Sequence, residues 1–260
     1  MKGHRKMNFI VLKAKWLKLF VLFFCVVVVL SFSLSSSEVL ASVVFGVKRK
    51  IPIYCVENDN KEIAISFDAA WGSDKTEKIL NILKENDITA TFFLVGMWVD
   101  KYPEMTKKIA DYGCAIGTHS NTHADFVKLS KEQILLELNQ SVDKIEKASG
   151  QKVSLFRAPY GSYNNTTLDC AESLGLKTIQ WDVDSLDWKG ISGATICSNV
   201  ISKVKSGSII LCHNNADHIV DALPSIISTL KARGFKFVKI SDLILKENYK
   251  IDNTGKQIRV

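Results

Sequence analysis

Two hydrophobic periodicities alternate along most of the chain. Segments rich in β-branched and aromatic residues, such as Ile88–Val95, predict strands, whereas apolar residues three or four apart within Asp74–Asn86 predict an amphipathic helix. The longest predicted helix, Ser130–Ser149, begins with a capping-box pattern and is followed by a glycine. The other predicted strands are Glu62–Phe67, Cys114–Thr118, Ser154–Arg157, Lys177–Asp182, Ser208–Cys212 and Lys236–Val238, and the other helices are Pro103–Tyr112, Asn165–Leu174, Gly193–Lys205 and Val220–Arg233. Such a succession of βα units predicts an α/β fold with a parallel sheet, either open or closed as a barrel.

The N-terminal 42 residues follow a different pattern. A basic start precedes an apolar run from Leu19 to Leu34, and this order predicts export across a membrane. Val39-Leu40-Ala41 resembles a cleavage site, so a cleaved signal peptide and an uncleaved membrane anchor both remain open. We expect an extra strand or hairpin over 43–61, the main domain over 62–241 and a polar tail over 242–260.

The net charge of +7 is concentrated at the N terminus. Six Lys or Arg residues and one Glu lie within the first 41 residues, which leaves a net charge of about +2 for the remainder. That balance is too small to indicate a nucleic-acid partner. The five cysteines after Cys25 include no CxxC pair, so they predict small buried hydrophobes and not a zinc knuckle or a redox motif.

Polar and aromatic residues that could carry chemistry follow within a few positions of the ends of the predicted strands. The carboxyl ends of parallel strands meet on one face of a sheet, so we expect these residues to share a pocket. They are Asp68, His119, His123, Arg157, Tyr160, Asp184, Asp187, Trp188 and His213.

His119 and His123 are spaced i, i+4. On a helical turn this spacing directs both imidazoles to one side, which suits a divalent transition metal. Position 120 is Ser, so the glutamate base of an HExxH motif is absent. The alternative is a pair of histidines that only cap or hydrogen-bond.

Two acid–base pairs are also predicted. Asp68 ends an apolar strand, where a carboxylate is costly unless it is paired or takes part in chemistry, although it could instead cap the next helix. Arg157 could pair with Asp68 and keep it ionised. His213 could serve as a general acid whose pKa Asp187 raises, or it could be a satisfied core histidine.

Five motifs follow one another along the chain: Ser66-Phe-Asp68, His119-Ser-Asn-Thr-His123, Arg157-Ala-Pro-Tyr160-Gly161, Asp184-Ser-Leu-Asp187-Trp188 and Leu211-Cys-His213. Together they resemble the motifs of the polysaccharide deacetylases, the NodB-homology domain of carbohydrate esterase family four. The resemblance spans roughly residues 62–240 and implies a distorted (β/α) barrel with about seven parallel strands, preceded here by the signal or anchor helix. Three segments look like the branch of the family associated with sporulation: Ile51-Pro-Ile-Tyr54, Asp68-Ala-Ala-Trp71-Gly72 and His213-Asn-Asn215.

The resemblance implies metal-dependent hydrolysis of an amide. Asp68 would deprotonate the attacking water and Arg157 would position Asp68. His213 would protonate the leaving amine, with Asp187 tuning the pKa of His213.

The same resemblance implies the remaining ligand contacts. His119 and His123 would hold a divalent metal, zinc or a similar ion such as cobalt. The backbone N–H of Tyr160 would stabilise the oxyanion, and Trp188 and Leu211 would line the slot for the acetyl methyl group.

Position 69 departs from the family pattern. The family has a second aspartate there, the third metal ligand, whereas this chain has Ala69. The first hypothesis is therefore an exported deacetylase of a cell-wall glycan, peptidoglycan above all, whose metal has a substitute ligand. The second is a glycan-binding protein without a full metal site. The third is O-deacetylation by the same chemistry.

Overall fold

The computed structural model describes residues 23–24 and 48–260. The predicted signal or anchor segment lies outside these residues, except for Phe23 and Phe24. In the part of the chain that is described, no helix has the length and apolar character needed to cross a membrane. The compact unit that carries the predicted motifs runs from Lys50 to Val260.

The central element of this unit is a parallel sheet. Seven of its strands are hydrogen-bonded in the order β6-β5-β4-β3-β2-β8-β7, and β9 pairs with the first half of β2. The predicted distorted barrel of about seven parallel strands is confirmed, as a half-barrel. The strands are β2 (Glu62–Ala69), β3 (Thr91–Leu94), β4 (Ala115–Thr118), β5 (Leu155–Phe156), β6 (Lys177–Thr178), β7 (Val183–Asp184), β8 (Ile209–His213) and β9 (Lys236–Phe237).

Helices connect the strands. The longest, α4 (Lys131–Ser149), begins after its N-cap residue Ser130, which forms the predicted capping box with Gln133 in the first turn. It ends before Gly150, whose left-handed backbone a glycine adopts without strain. The helices are α1 (Thr76–Glu85), α2 (Gly96–Lys101), α3 (Pro103–Asp111), α4 (Lys131–Ser149), α5 (Asn165–Ser173), α6 (Gly193–Ile201), α7 (Ile219–Ala232) and α8 (Ile240–Leu243).

Alternate residues of the central strand β2 belong to two separate cores. Ile63, Ile65 and Phe67 pack in the larger core with the helices, whereas Ala64 belongs to a smaller core with Phe93 and other residues. This alternation follows from the two-residue period of a strand. Asp68 thus shares the face of Ala64, and Ala69 shares the face of the larger core.

Three sequence predictions differ from the structure. The predicted polar tail 242–260 contains paired strands: β10 (Tyr249–Ile251) and β11 (Lys256–Arg259) pair antiparallel, and β11 also pairs with β1 (Cys55–Val56). Its polar composition concealed the strand pairing, which buries Gln257 completely. The predicted strand Lys177–Asp182 divides into β6 and β7, and helix α2 was not predicted, because six residues are too few to show a helical period.

The strand register brings distant residues together. In the pairing of β2 with β8, Asp68 lies directly opposite His213. In the pairing of β4 with β5, Thr118 lies opposite Phe156, so the His119 and Arg157 that follow are also neighbours. The sheet therefore positions Asp68, His119, Arg157 and His213 together at the carboxyl ends of its strands.

Candidate active site

A cavity of about 740 Å³ opens at the carboxyl ends of the strands. Nine of the ten predicted site residues line it, and the tenth, Arg157, is fully buried and bonded to Asp68. The nine are Asp68, His119, His123, Tyr160, Asp184, Asp187, Trp188, Leu211 and His213. The predicted shared pocket is therefore present.

Asp68 is held by a buried arginine. Nη1 of Arg157 donates to Oδ1 of Asp68 at 2.7 Å and to the hydroxyl of Ser66 at 2.9 Å, and the guanidinium lies 4.1 Å from the ring centroid of Phe93. Burial acts to raise the pKa of Asp68, but the charge and hydrogen bond of Arg157 act against it, and that pKa lies below its ordinary value. Asp68 is therefore a carboxylate at neutral pH, which a general base requires.

His213 is paired with a buried aspartate. Its Nδ1 lies 2.7 Å from Oδ1 of Asp187, and its backbone N–H donates to Oδ2 of the same carboxylate at 2.7 Å. Burial acts to lower the pKa of His213, whereas the hydrogen bond and charge of Asp187 raise it above its ordinary value. A protonated imidazole facing the cavity can donate a proton to a leaving group.

The raised pKa of His213 makes stability depend on pH. The pairing with Asp187 stabilises the folded chain fully below the unfolded-state pKa of about 6.5, and this stabilisation is lost as the pH rises through the higher folded-state pKa. We expect His213→Gln to lower the free energy of unfolding more at about pH 6 than at about pH 9. Urea denaturation at both pH values measures this difference. His218→Gln is the control, since His218 is exposed and pairs with the exposed Asp221. An equal loss at both pH values in His213→Gln would contradict the assignment.

The two histidines of the predicted metal pair lie side by side, although not on a helix. Residues 119–125 form an irregular loop in which Ser120 and His123 have φ of 73° and 61°. The predicted helical turn is therefore wrong, because these left-handed conformations are incompatible with a helix. The imidazoles still meet, with ring centroids 4.9 Å apart. Such strain in non-glycine residues is characteristic of functional sites.

The environments of the two rings leave nitrogens free for a ligand. Nδ1 of His119 lies 2.8 Å from the carbonyl oxygen of Arg157, which can only accept, so that Nδ1 carries the proton and Nε2 faces Oδ2 of Asp68 at 3.5 Å. His123 is partly buried between aromatic rings, its Nδ1 has no partner among the described residues, and burial lowers its pKa to about 4. Neutral imidazoles of this kind are suited to metal binding.

The donor set, however, does not complete a metal centre. Catalytic zinc has three protein ligands, whereas the described residues contain no group of three His, Cys, Asp or Glu side chains arranged to hold a metal. Ala69 is fully buried in the larger core and offers only a methyl group. The site therefore supplies two imidazoles of a metal centre and not the complete three-ligand set.

The three predicted substrate contacts border the same cavity. Leu211 is almost fully buried, while the side chains of Tyr160 and Trp188 are 70% and 59% exposed. Tyr160 has φ of 60°, and its backbone N–H donates no hydrogen bond to any of residues 48–260. A free N–H at the edge of the cavity can stabilise an oxyanion.

Two residues of the site were not assigned a role from the sequence. Asn214 is 2% exposed, and its amide donates to the carbonyl oxygen of Gly72 at 2.9 Å and to the Thr76 hydroxyl at 3.0 Å. Trp71 is 65% exposed at the cavity. In the sequence, Trp71 is an aromatic residue just after the strand that carries Asp68. Its exposure at the cavity depends on the geometry of the turn, which only the tertiary structure shows.

Comparisons with known proteins agree with this geometry. The family model "Polysaccharide deacetylase" matches residues 56–179. The peptidoglycan-N-acetylglucosamine deacetylase of Bacillus cereus is 34% identical over 186 residues, which cover 70% of this chain and 68% of that protein. The uncharacterized protein YlxY of Bacillus subtilis is 33% identical over 208 residues, which cover 80% of this chain, but the match spans only 65% of YlxY.

Solved structures show the same fold. A pseudoenzyme of carbohydrate esterase family four from Bacillus anthracis superposes with a TM-score of 0.72 at 33% identity, covering 80% of this chain and 70% of its own. A mutant of that pseudoenzyme is described as having restored enzymatic activity. Members of the family are hydrolases of N-acetyl amide bonds and are generally metal-dependent. The chain belongs to the polysaccharide deacetylase family, carbohydrate esterase family four.

Proposed function

We propose that the chain hydrolyses N-acetyl groups of a cell-wall glycan, namely peptidoglycan. One observation carries the proposal: a carboxylate paired with an arginine, Asp68 with Arg157, and an imidazole paired with a buried carboxylate, His213 with Asp187, lie on adjacent strands at the same cavity. Hydrolysis of an amide needs one group to take a proton and another to supply one. The substrate is supported by the peptidoglycan deacetylase of Bacillus cereus among the relatives.

The side chains of this site can perform each proton transfer. The Asp68 carboxylate takes a proton from water as the water oxygen attacks the acetyl carbonyl carbon, and the Tyr160 N–H donates to the resulting oxyanion. When the C–N bond breaks, protonated His213 gives its proton to the leaving amine. Acetate and a free amino sugar are the products.

A divalent ion does not enter these steps, because the donor set is incomplete. Zinc or cobalt would reach only the imidazoles of His119 and His123, without the third protein ligand of a catalytic zinc site. We therefore assign no proton transfer to a bound metal.

The location and biological role belong to the same proposal. The basic start and apolar run before residue 42 support export, with the domain on the outer side of a membrane and either anchored there or released. The resemblance to the sporulation-associated branch favours spore-wall peptidoglycan as the substrate. O-deacetylation would use the same oxyanion chemistry and is distinguished by assays on O-acetylated substrates.

A second candidate function is glycan binding without catalysis. Ala69 favours it, and so does the similarity to a pseudoenzyme of the same family. The retention of both acid–base pairs favours the enzyme, because binding alone requires neither pair.

Release of amine from N-acetylated peptidoglycan by the full chain tests the proposal. We expect free amino groups to appear with the unaltered chain and not with His213→Gln. Parallel assays with chelator and with added zinc or cobalt, together with elemental analysis, determine whether the reaction depends on metal. No amine release under any of these conditions would contradict the deacetylase, and peptidoglycan pull-down would then test the binding protein.

A further inference from the structure

Trp71 is the most exposed tryptophan at the cavity. It lies in the turn after β2 with 65% of its surface accessible, whereas most large apolar side chains of the described unit are buried. Its ring meets the ring of His123 at a centroid distance of 4.7 Å and an angle of 66°. Because ligand cavities are lined mainly by apolar and aromatic side chains, an exposed indole in the lining of this cavity is available to a ligand.

The turn that carries Trp71 is held rigidly. The carbonyl oxygen of Gly72 accepts hydrogen bonds from Nε1 of Trp98 at 2.6 Å and from the amide of Asn214 at 2.9 Å. Gly72 has φ of 61°, and a side chain there would collide with Asn215. The indole is therefore presented in a fixed position, which lowers the entropy cost of binding to it.

The position of Trp71 separates it from the predicted acetyl slot. Trp71 follows β2 and contacts His123, which in turn contacts Tyr160 at a centroid distance of 4.7 Å. Trp188 follows β7, beside the pair of Asp187 and His213. The cavity therefore has aromatic surfaces in two separate places, and only one of them is needed for a methyl group.

A pyranose ring has the chemistry that an exposed indole face recognises. One face of the sugar presents C–H groups, which carry partial positive charge and meet the negative face of the aromatic ring, while the hydroxyl groups remain in water. Such a contact orients the sugar ring without burying a polar group that would then need a hydrogen-bond partner. It suits a neutral glycan that extends out of an open cavity.

We propose that Trp71 is a positioning residue that stacks against a pyranose ring of the glycan and holds the N-acetyl group over the catalytic side chains. This inference rests on the proposed function for its ligand and adds a binding contact to it. Because the contact is made with the bound ground state as well as the transition state, its loss weakens binding and raises KM more than it lowers kcat.

Binding of a soluble tetramer of β-1,4-linked N-acetylglucosamine to the immobilised full chain tests this role. We expect Trp71→Ala to weaken binding by roughly 10- to 100-fold, and Trp71→Phe to bind within about threefold of the unaltered chain. Trp71→Leu keeps an apolar side chain against His123 without an aromatic face, and we expect it to behave as Trp71→Ala does. Leu136→Ala is the control, because Leu136 is 56% exposed on α4 and does not line the cavity.

The outcomes separate this inference from the proposed function. Equal binding by Trp71→Ala and the unaltered chain would overturn the role of Trp71 while leaving the deacetylase untouched. A loss of kcat at unchanged KM and binding would also overturn it, because the ring would then only support His123. No binding of the tetramer by the unaltered chain would overturn the inference, and amine release from peptidoglycan would still decide the proposed function separately.

Discussion

Asp68→Asn is expected to slow amine release from N-acetylated peptidoglycan by on the order of 10²- to 10⁴-fold. The amide has the shape of the carboxylate and can still accept a hydrogen bond from Nη1 of Arg157, but it cannot take a proton from water. The structure makes the effect specific, because Asp68 is almost fully buried and is kept ionised by Arg157. Initial rates with the purified full chain measure the change.

Two measurements guard the interpretation of Asp68→Asn. Asp217→Asn removes the same charge from the same cavity at a side chain that is 76% exposed and 3.7 Å from Lys75, and we expect its rate to change by no more than a few fold. Thermal unfolding shows whether Asp68→Asn still folds when the buried Arg157 has no negatively charged partner. A folded Asp68→Asn chain with an undiminished rate would exclude Asp68 as the base.

Ala69→Asp is expected to tighten zinc binding by on the order of 100-fold or more. Even an outer-shell partner of a ligand changes metal affinity about 10- to 100-fold, and in the family pattern the carboxylate at this position is a direct third ligand. Ala69 is fully buried in the larger core, so without metal the new carboxylate is expected to lower the unfolding temperature. Zinc should then raise that temperature in Ala69→Asp by more than in the unaltered chain.

Ala69→Asn is the matched control for the zinc experiment. The amide has almost the same size as the carboxylate but lacks the charge that zinc attracts. Zinc content and the zinc-dependent shift in unfolding temperature therefore separate coordination from packing, without reference to activity. Equal zinc binding by Ala69→Asp, Ala69→Asn and the unaltered chain would show that the position does not reach the metal site.

Local sequence patterns predicted most of the helices and strands. In α4, the Ser130 and Gln133 capping box and the glycine stop act within a few residues, so the ends were predictable. Strand β2 was predictable because its residues from Ile63 to Phe67 are apolar except for Ser66. The short strands and α2 were harder to predict, because two to six residues do not establish a period of apolar positions.

The C-terminal hairpin shows where local patterns fail. Strand β11 is polar at three of its four residues, and it pairs with β10 on one side and with β1, about 200 residues earlier in the sequence, on the other. Backbone pairing between distant segments leaves little trace in composition.

The sequence determined which residues are candidates for the site, whereas the tertiary structure decided which of them are in contact, buried or charged. Residue types and their positions after strands were enough to single out Asp68, Arg157, Asp187 and His213, and the family resemblance raised the question of Ala69. The pairing of β2 with β8 determined that Asp68 and His213 are neighbours. The buried Arg157 lowers the pKa of Asp68, whereas the buried Asp187 raises the pKa of His213. The loop after β4 placed His119 against His123 without a helix, and the turn at Gly72 exposed Trp71. The physical reason is that side-chain chemistry is carried by each residue alone, but charge coupling, burial and orientation arise only between residues that folding brings into contact.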